Sequence, residues 1–161
     1  MNETTTLTAR FLAAIPGIVG YRPNDELLLL IASNAEPLAV ISEPLSDPIP
    51  VGLMYTGALE LVGEVQALPE AHVVHLVVFT SLPFRQAAEM PHSQLVGILA
   101  DALTDAELLV SALCVAADGW GGYFCRGACC PPAGNALNLI DFTAPSRAFG
   151  RFSQLSRYED S

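Results

Sequence analysis

Apolar positions along this chain change their period several times, and each change marks an element boundary. Thr4 to Thr8 offer several N-caps for a first helix through Arg10, Phe11, Leu12, Ala13 and Ile15. Pro16, Gly17 and Gly20 are expected to end it, since proline lacks the amide donor a continuing helix needs. Gly20-Tyr21-Arg22-Pro23-Asn24-Asp25 reads as a turn, with Pro23 keeping Arg22 out of the helical region. Glu26 to Ser33 is almost wholly apolar, which implies a strand covered on both faces. A polar break at Asn34 and Glu36 precedes a second strand, Leu38 to Ser42, and the two are expected to pair as a hairpin.

Glu43 to Pro50 carries Pro44, Pro48 and Pro50 and reads as a loop. From Val51 the period becomes helical, with Met54, Ala58, Leu61, Val62, Val65 and Leu68 on one face and Glu60, Glu64 and Gln66 opposite. Gly57 and Gly63 weaken that helix, and their small size would let it lie close to a sheet. His72 to Thr80 is the strongest strand pattern. Phe84 to Met90 suggests a helical turn stopped by Pro91. His92 or Ser93 would cap a third helix, whose buried stripe is Leu95, Ile98, Leu99, Ala102 and Leu103. Leu108 to Ala117 reads as a strand, Asp118-Gly119 as a turn, and Gly122 to Cys125 as a returning strand. Ala136 to Phe142 fits a short strand or a helix start.

The order α-β-β-α-β-α-β-β predicts an α/β fold, a single layered domain whose mixed sheet is covered by helices. It would occupy residues 1–142. Residues 143–161 form a tail whose Phe149, Phe152 and Leu155 recur at helical spacing and suggest a short docked helix. A length of 161 residues suits one domain with a sizeable core. Although 52% of residues are hydrophobic, the apolar runs are strand-length, far below the roughly 20 residues of a membrane span, so no membrane contact is expected. No basic, apolar leader pattern opens the chain, which favours a cytoplasmic protein.

The formal net charge of −10 argues against nucleic acid as a partner, because phosphate would be repelled. The charge is uneven: residues 1–125 carry −11 and residues 126–161 carry +1. With the apolar excess, this split makes a homo-oligomer an expectation; the Arg147, Arg151 and Arg157 tail would meet the acidic body of a second subunit or a partner, or pack against the chain's own acidic surface.

Candidate chemistry concentrates in Asp118 to Gly134, which holds the one Trp and three of the four Cys. Cys125, Cys129 and Cys130 could ligate zinc, with His72, His75, His92 or Cys114 as a fourth donor, but their spacing differs from paired C-x2-C knuckles. A disulfide from Cys125 to Cys129 or Cys130 is the second option, disfavoured by a reducing cytosol. The third, which the composition favours, is a set of reduced thiols tightening a Gly- and Pro-rich loop. A catalytic thiolate would need a cation or base, and Arg126 is the one such neighbour in sequence. Trp120 and Tyr123 could line a ligand or metal cluster with these cysteines, or could anchor a hairpin. Glycines at 119, 121 and 122 form no phosphate loop.

His75 lies mid-strand, where a buried histidine is more often a satisfied core residue than a ligand. Thr80 and Ser81 end that strand, where open α/β sheets commonly bind ligands, so any pocket is expected there. Arg22, Asn24, Asp25 and Glu26 gather both signs of charge and could form a small polar site at a strand start, although a solvated turn with a local ion pair is favoured.

Two segments carry a family resemblance. Phe11-Leu12-Ala13-Ala14-Ile15-Pro16 followed by Gly20-Tyr21-x-Pro23 is one, and Trp120-x-x-Tyr123-x-Cys125 with Cys129-Cys130-Pro131-x-x-Gly134 is the other. Together they resemble an uncharacterised, mainly actinobacterial domain-of-unknown-function family, over about residues 7–137. The resemblance implies a cytoplasmic actinobacterial or actinophage-type protein and brings no known activity, substrate or catalytic residue. Two functions remain in view. One is a non-catalytic binding or assembly module with a structural Cys-rich loop and an unidentified small-molecule ligand. The other is a small-molecule enzyme, metal-dependent or not, with a pocket near Thr80, Ser81 and Trp120 to Cys130.

Overall fold

The structure is a computed structural model that describes residues 3–34, 36–46, 48–85, 89–124 and 134–142. Its elements are α1 (Glu3–Val19), β1 (Glu26–Ala32), β2 (Pro37–Pro44), α2 (Val51–Gln66), β3 (Val73–Phe79), α3 (Ser93–Asp105), β4 (Leu109–Val115) and β5 (Trp120–Gly122). The order is the one the periodicity predicts. A single 3-10 turn, Leu137–Leu139, follows β5 and takes the place of the short strand or helix start expected there.

The sheet runs β2-β1-β3-β4-β5. β1 is antiparallel to both β2 and β3, β3 is parallel to β4, and β4 is antiparallel to β5. The parallel pair is joined through α3, as a parallel connection requires. Alternation along β1 then sorts the core into two layers. Leu27, Leu29 and Ile31 face α2 and α3, together with Val74, Leu76, Val78 and Cys114. Leu28 and Leu30 face α1, with Val77, Phe79, Val115 and Trp120. Five consecutive buried residues in β1 follow from this double cover.

Helix α1 continues past Pro16, which the sequence reading expected to stop it. Burial explains the difference. Leu12, Ile15 and Ile18 all pack on the sheet, and each buried aliphatic contributes about 1.5–3 kcal/mol. That offsets an interior proline's cost of roughly 3 kcal/mol, the more so in a last turn. The helix ends at Gly20 instead, whose φ of 87° is left-handed and whose N–H bonds the Pro16 carbonyl at 2.9 Å.

Three further expectations shift. Gly57 and Gly63 do not bring α2 close to the sheet, because a Cβ at either would meet no heavy atom within 4 Å. β5 begins at Trp120 rather than Gly122, since Trp120 already pairs with Val115 and bridges Asn135 on its other side. Phe84 and Arg85 are not helical. The Phe84 N–H bonds the Asp118 carboxylate at 2.7 Å, and its ring packs against Gly121 and Gly134. Residues 86–88 of that expected turn lie outside the described residues.

Candidate ligand cleft at the strand ends

Parallel strands β3 and β4 finish side by side, with Phe79 opposite Val115 in register. A cleft of about 380 Å³ opens at these strand ends. Its lining is Phe79, Thr80 and Ser81 after β3, and Val115, Ala116 and Ala117 after β4. Arg22, Pro23 and Asn24 come from the turn before β1, and Leu137 and Phe142 from the segment after β5. The floor is apolar because Phe79 and Val115 belong to the core on the α1 side.

Asp25 fixes one wall. It adopts a left-handed φ of 50°, uncommon outside glycine. Its carboxylate accepts the Ser81 N–H at 2.9 Å and the Ser81 hydroxyl at 3.0 Å, while its carbonyl accepts the Leu45 N–H at 2.8 Å. The bond from the Ser81 N–H, with those from the Ser81 and Thr80 hydroxyls, holds the Asp25 carboxyl below its ordinary range, and a nearby His92 adds to this. Thr80 is buried, and its Oγ1 accepts the Leu82 N–H at 3.1 Å. The two strand ends are also tied together, Thr80 N–H to Val115 carbonyl and Ala117 N–H to Leu82 carbonyl, each at 2.9 Å. Opposite, the Arg22 guanidinium lies 4.2 Å from the centre of the Phe142 ring.

The local ion pair expected in the Arg22–Glu26 turn is therefore replaced by three separate contacts. Arg22 stacks on Phe142, Asp25 bonds Ser81, and Glu26 accepts the Tyr21 hydroxyl at 2.5 Å. The turn is too short to let these side chains meet while Asp25 reaches across to β3.

Of the residues singled out from sequence, Thr80 and Ser81 line this cleft and His75 does not. His75 stands near the other end of β3, half-buried, its Nδ1 2.6 Å from the Ser111 hydroxyl and its ring 5.4 Å from that of Phe11. Burial alone lowers its pKa, so the neutral imidazole of a satisfied core position is what the surroundings favour.

Trp120 and Tyr123 fall on opposite sides of the sheet and form no common cluster. Trp120 is buried on the α1 side and donates its indole N–H to the Ala136 carbonyl at 3.0 Å. Tyr123 packs on the α3 side and donates its hydroxyl to the Pro91 carbonyl at 2.5 Å. Each is packed into its own core layer. Cys114 is free and buried, its thiol pushed up to about 12 by desolvation. Cys125, Arg126, Cys129 and Cys130 lie outside the described residues. Among the described residues, no three His, Cys, Asp or Glu are placed to hold a metal ion.

Leu137 and Phe142 are the participants that sequence reasoning missed, while Arg22 and Asp25 were read as a polar cluster of their own and not joined to Thr80 and Ser81. Proximity of Arg22 and Asp25 to a strand start was visible. Nothing in the pattern announces that Leu137 and Phe142 return to the ends of β3 and β4.

The elements define a three-layer α/β domain with a cleft at the carboxyl ends of its parallel strands. Within that class, the chain belongs to the domain-of-unknown-function family DUF4192, which it matches over residues 9–159. No curated protein and no solved structure matches it.

Proposed function

We propose that this domain is a non-catalytic, cytoplasmic binding module that takes a small molecule in the strand-end cleft, its Cys-rich loop being structural. The observation that carries the reading is the cleft's preorganisation. Asp25, Thr80 and Ser81 hold its wall through hydrogen bonds that exist before any ligand arrives, which cuts the ordering penalty on binding. Its volume of about 380 Å³ falls within the range of small-molecule sites. Amide spectra of the full chain against a mixed fragment library test it. Shifts converging on Thr80, Ser81, Ala116 and Ala117 support the reading, and a library that moves none of them overturns it.

An enzymatic use of the cleft rests on one pair, the Asp25 carboxylate 3.0 Å from the Ser81 hydroxyl. That pair is ill suited to activate a nucleophile, because a carboxyl held below its ordinary range is a weak base at neutral pH. Turnover of any bound fragment, abolished by Ser81→Ala, would reverse the assignment.

Assembly is the second part of the reading. Val51, Tyr55 and Leu59 stand 47–71% exposed one turn apart along α2, an uncharged row on a chain of net charge −10. A second copy of the chain could approach there without like-charge contact. A dimer mass by light scattering at micromolar concentration, reduced to a monomer by Leu59→Glu, is the expected result. A monomer mass for the unaltered chain refutes it.

A further inference from the structure

We infer that the cleft's ligand presents an oxyanion, a carboxylate or phosphate, to Arg22 and lays a flat apolar body on the floor formed by Phe79 and Val115. The inference rests on the cleft reading above and adds the ligand's chemistry.

Charge selects the sign of the polar group. The chain has 17 acids against seven Lys and Arg, yet no Asp or Glu is among the described residues that line the cleft, and Arg22 is. Asp25 contacts the lining through Ser81, and its charge is already held by the Ser81 N–H and hydroxyl. A second anion would therefore meet the guanidinium as its dominant electrostatic partner.

Geometry selects the shape of that group. Arg22 is exposed, and its guanidinium carbon sits 4.2 Å from the Phe142 ring centre. Stacking on an aromatic face uses the faces of the guanidinium and leaves its in-plane N–H donors for other partners. Those donors form a fixed fork that matches two oxygens of a carboxylate or phosphate. The stack also holds a long side chain in place, so less rotamer freedom is lost when the anion arrives.

The remaining lining sets the rest of the molecule. Asn24 is exposed at the rim and supplies amide donors, while Ser81 Oγ, donating to Asp25, retains lone pairs for a ligand N–H or O–H. Beneath them Phe79 and Val115, with half-buried Leu137 and Phe142, present apolar carbon. A ligand with an anionic end and a planar hydrophobic end satisfies both levels at once, and neither a sugar nor a bare ion does.

Phenyl phosphate and benzoate are suitable probes, with phenol and inorganic phosphate as the half-ligands, each titrated into the full chain while amide shifts are followed. One or both aryl oxyanions are expected to shift Thr80, Ser81, Ala116 and Ala117 and to bind more tightly than either half-ligand. The stronger of the two distinguishes phosphate from carboxylate. Arg22→Gln should weaken that binding roughly ten- to hundredfold, the worth of charge-assisted hydrogen bonds. Arg22→Lys, which keeps the charge and loses the fork and the stack, should fall between. Because Arg22 is exposed, both variants should unfold at the temperature of the parent. If phenol binds as well as the aryl oxyanions, or Arg22→Gln leaves their affinity unchanged, the oxyanion inference fails and the cleft reading stands. If no aryl oxyanion shifts the four amides while neutral fragments do, the inference fails likewise.

Discussion

At the scale of single residues, burial decides which groups are chemically available. Cys114 lies against the Tyr123 hydroxyl inside the α3-side core, and desolvation pushes its thiol up to about 12. The thiolate is the reactive form, so iodoacetamide near pH 8 should leave Cys114 unmodified in the native chain and alkylate it in denaturant. Native alkylation at the rate of a free thiol would contradict the packing. His75 and Asp25 give the stability two separate acid limbs. Burial lowers the His75 pKa below 6.5, so the unfolded chain takes a proton first as pH falls through 6.5. Stability then declines until the folded value is passed. Asp25 is also lowered, from 3.8, but its charged form is the bonded one. Its contribution is complete above 3.8 and disappears as pH falls through the lower, folded value. Denaturant titrations from about pH 7.5 downward should show the first limb vanish in His75→Gln and the second in Asp25→Asn. An unchanged pH profile in either variant would show that its side chain is not protonated differently in the two states.

At the scale of elements, glycine has two uses here, and substitution separates them. Gly63 sits in α2 with open space where a side chain would be, so Gly63→Ala should stabilise by about 0.5–1 kcal/mol through helix propensity. Gly134 has φ 81°, and a Cβ there would come 2.9 Å from Phe84 Cδ1. Gly134→Ala should therefore destabilise by about 1–2 kcal/mol from backbone conformation alone, with a further loss from displacing the ring. Denaturant melts of both variants check the opposite signs. The same contrast explains what was readable beforehand. Element order was visible because β1 and β3 are apolar on consecutive positions while α2 and α3 repeat at three and four. Thr80 and Ser81 could be placed at the cleft because a strand end is a local property. The bond from Ser81 to Asp25 spans 56 residues, and no periodicity carries such a pairing. The end of α1 was misjudged for a related reason, since the packing that retains Pro16 comes from strands distant in sequence. The Cys-rich loop stands out by composition, whereas Trp120 and Tyr123, three residues apart, pack in opposite layers.

At the scale of the whole molecule, a net charge of −10 on 161 residues makes the compact state self-repelling. Raising salt from about 0.01 M to 0.15 M shortens the screening length from about 30 Å to 8 Å, so the melting temperature should rise over that range. A flat response would mean that the native chain places its acids no closer together than the unfolded chain does. No described helix is long and apolar enough to cross a membrane, and the apolar excess instead goes into two cores. Strand β2, at one sheet edge, begins and ends with proline, which limits further strand pairing there. The division of the core has a consequence in time. Helix α1 is made first, but it packs against a layer completed by Val115, Trp120 and Ile140. At synthesis rates of about 5–20 residues per second, its apolar stripe waits roughly 6–25 seconds for the last of those partners. For that interval Leu12, Ile15 and Ile18 form an uncovered hydrophobic segment of the nascent chain, which is when a chaperone would meet this protein.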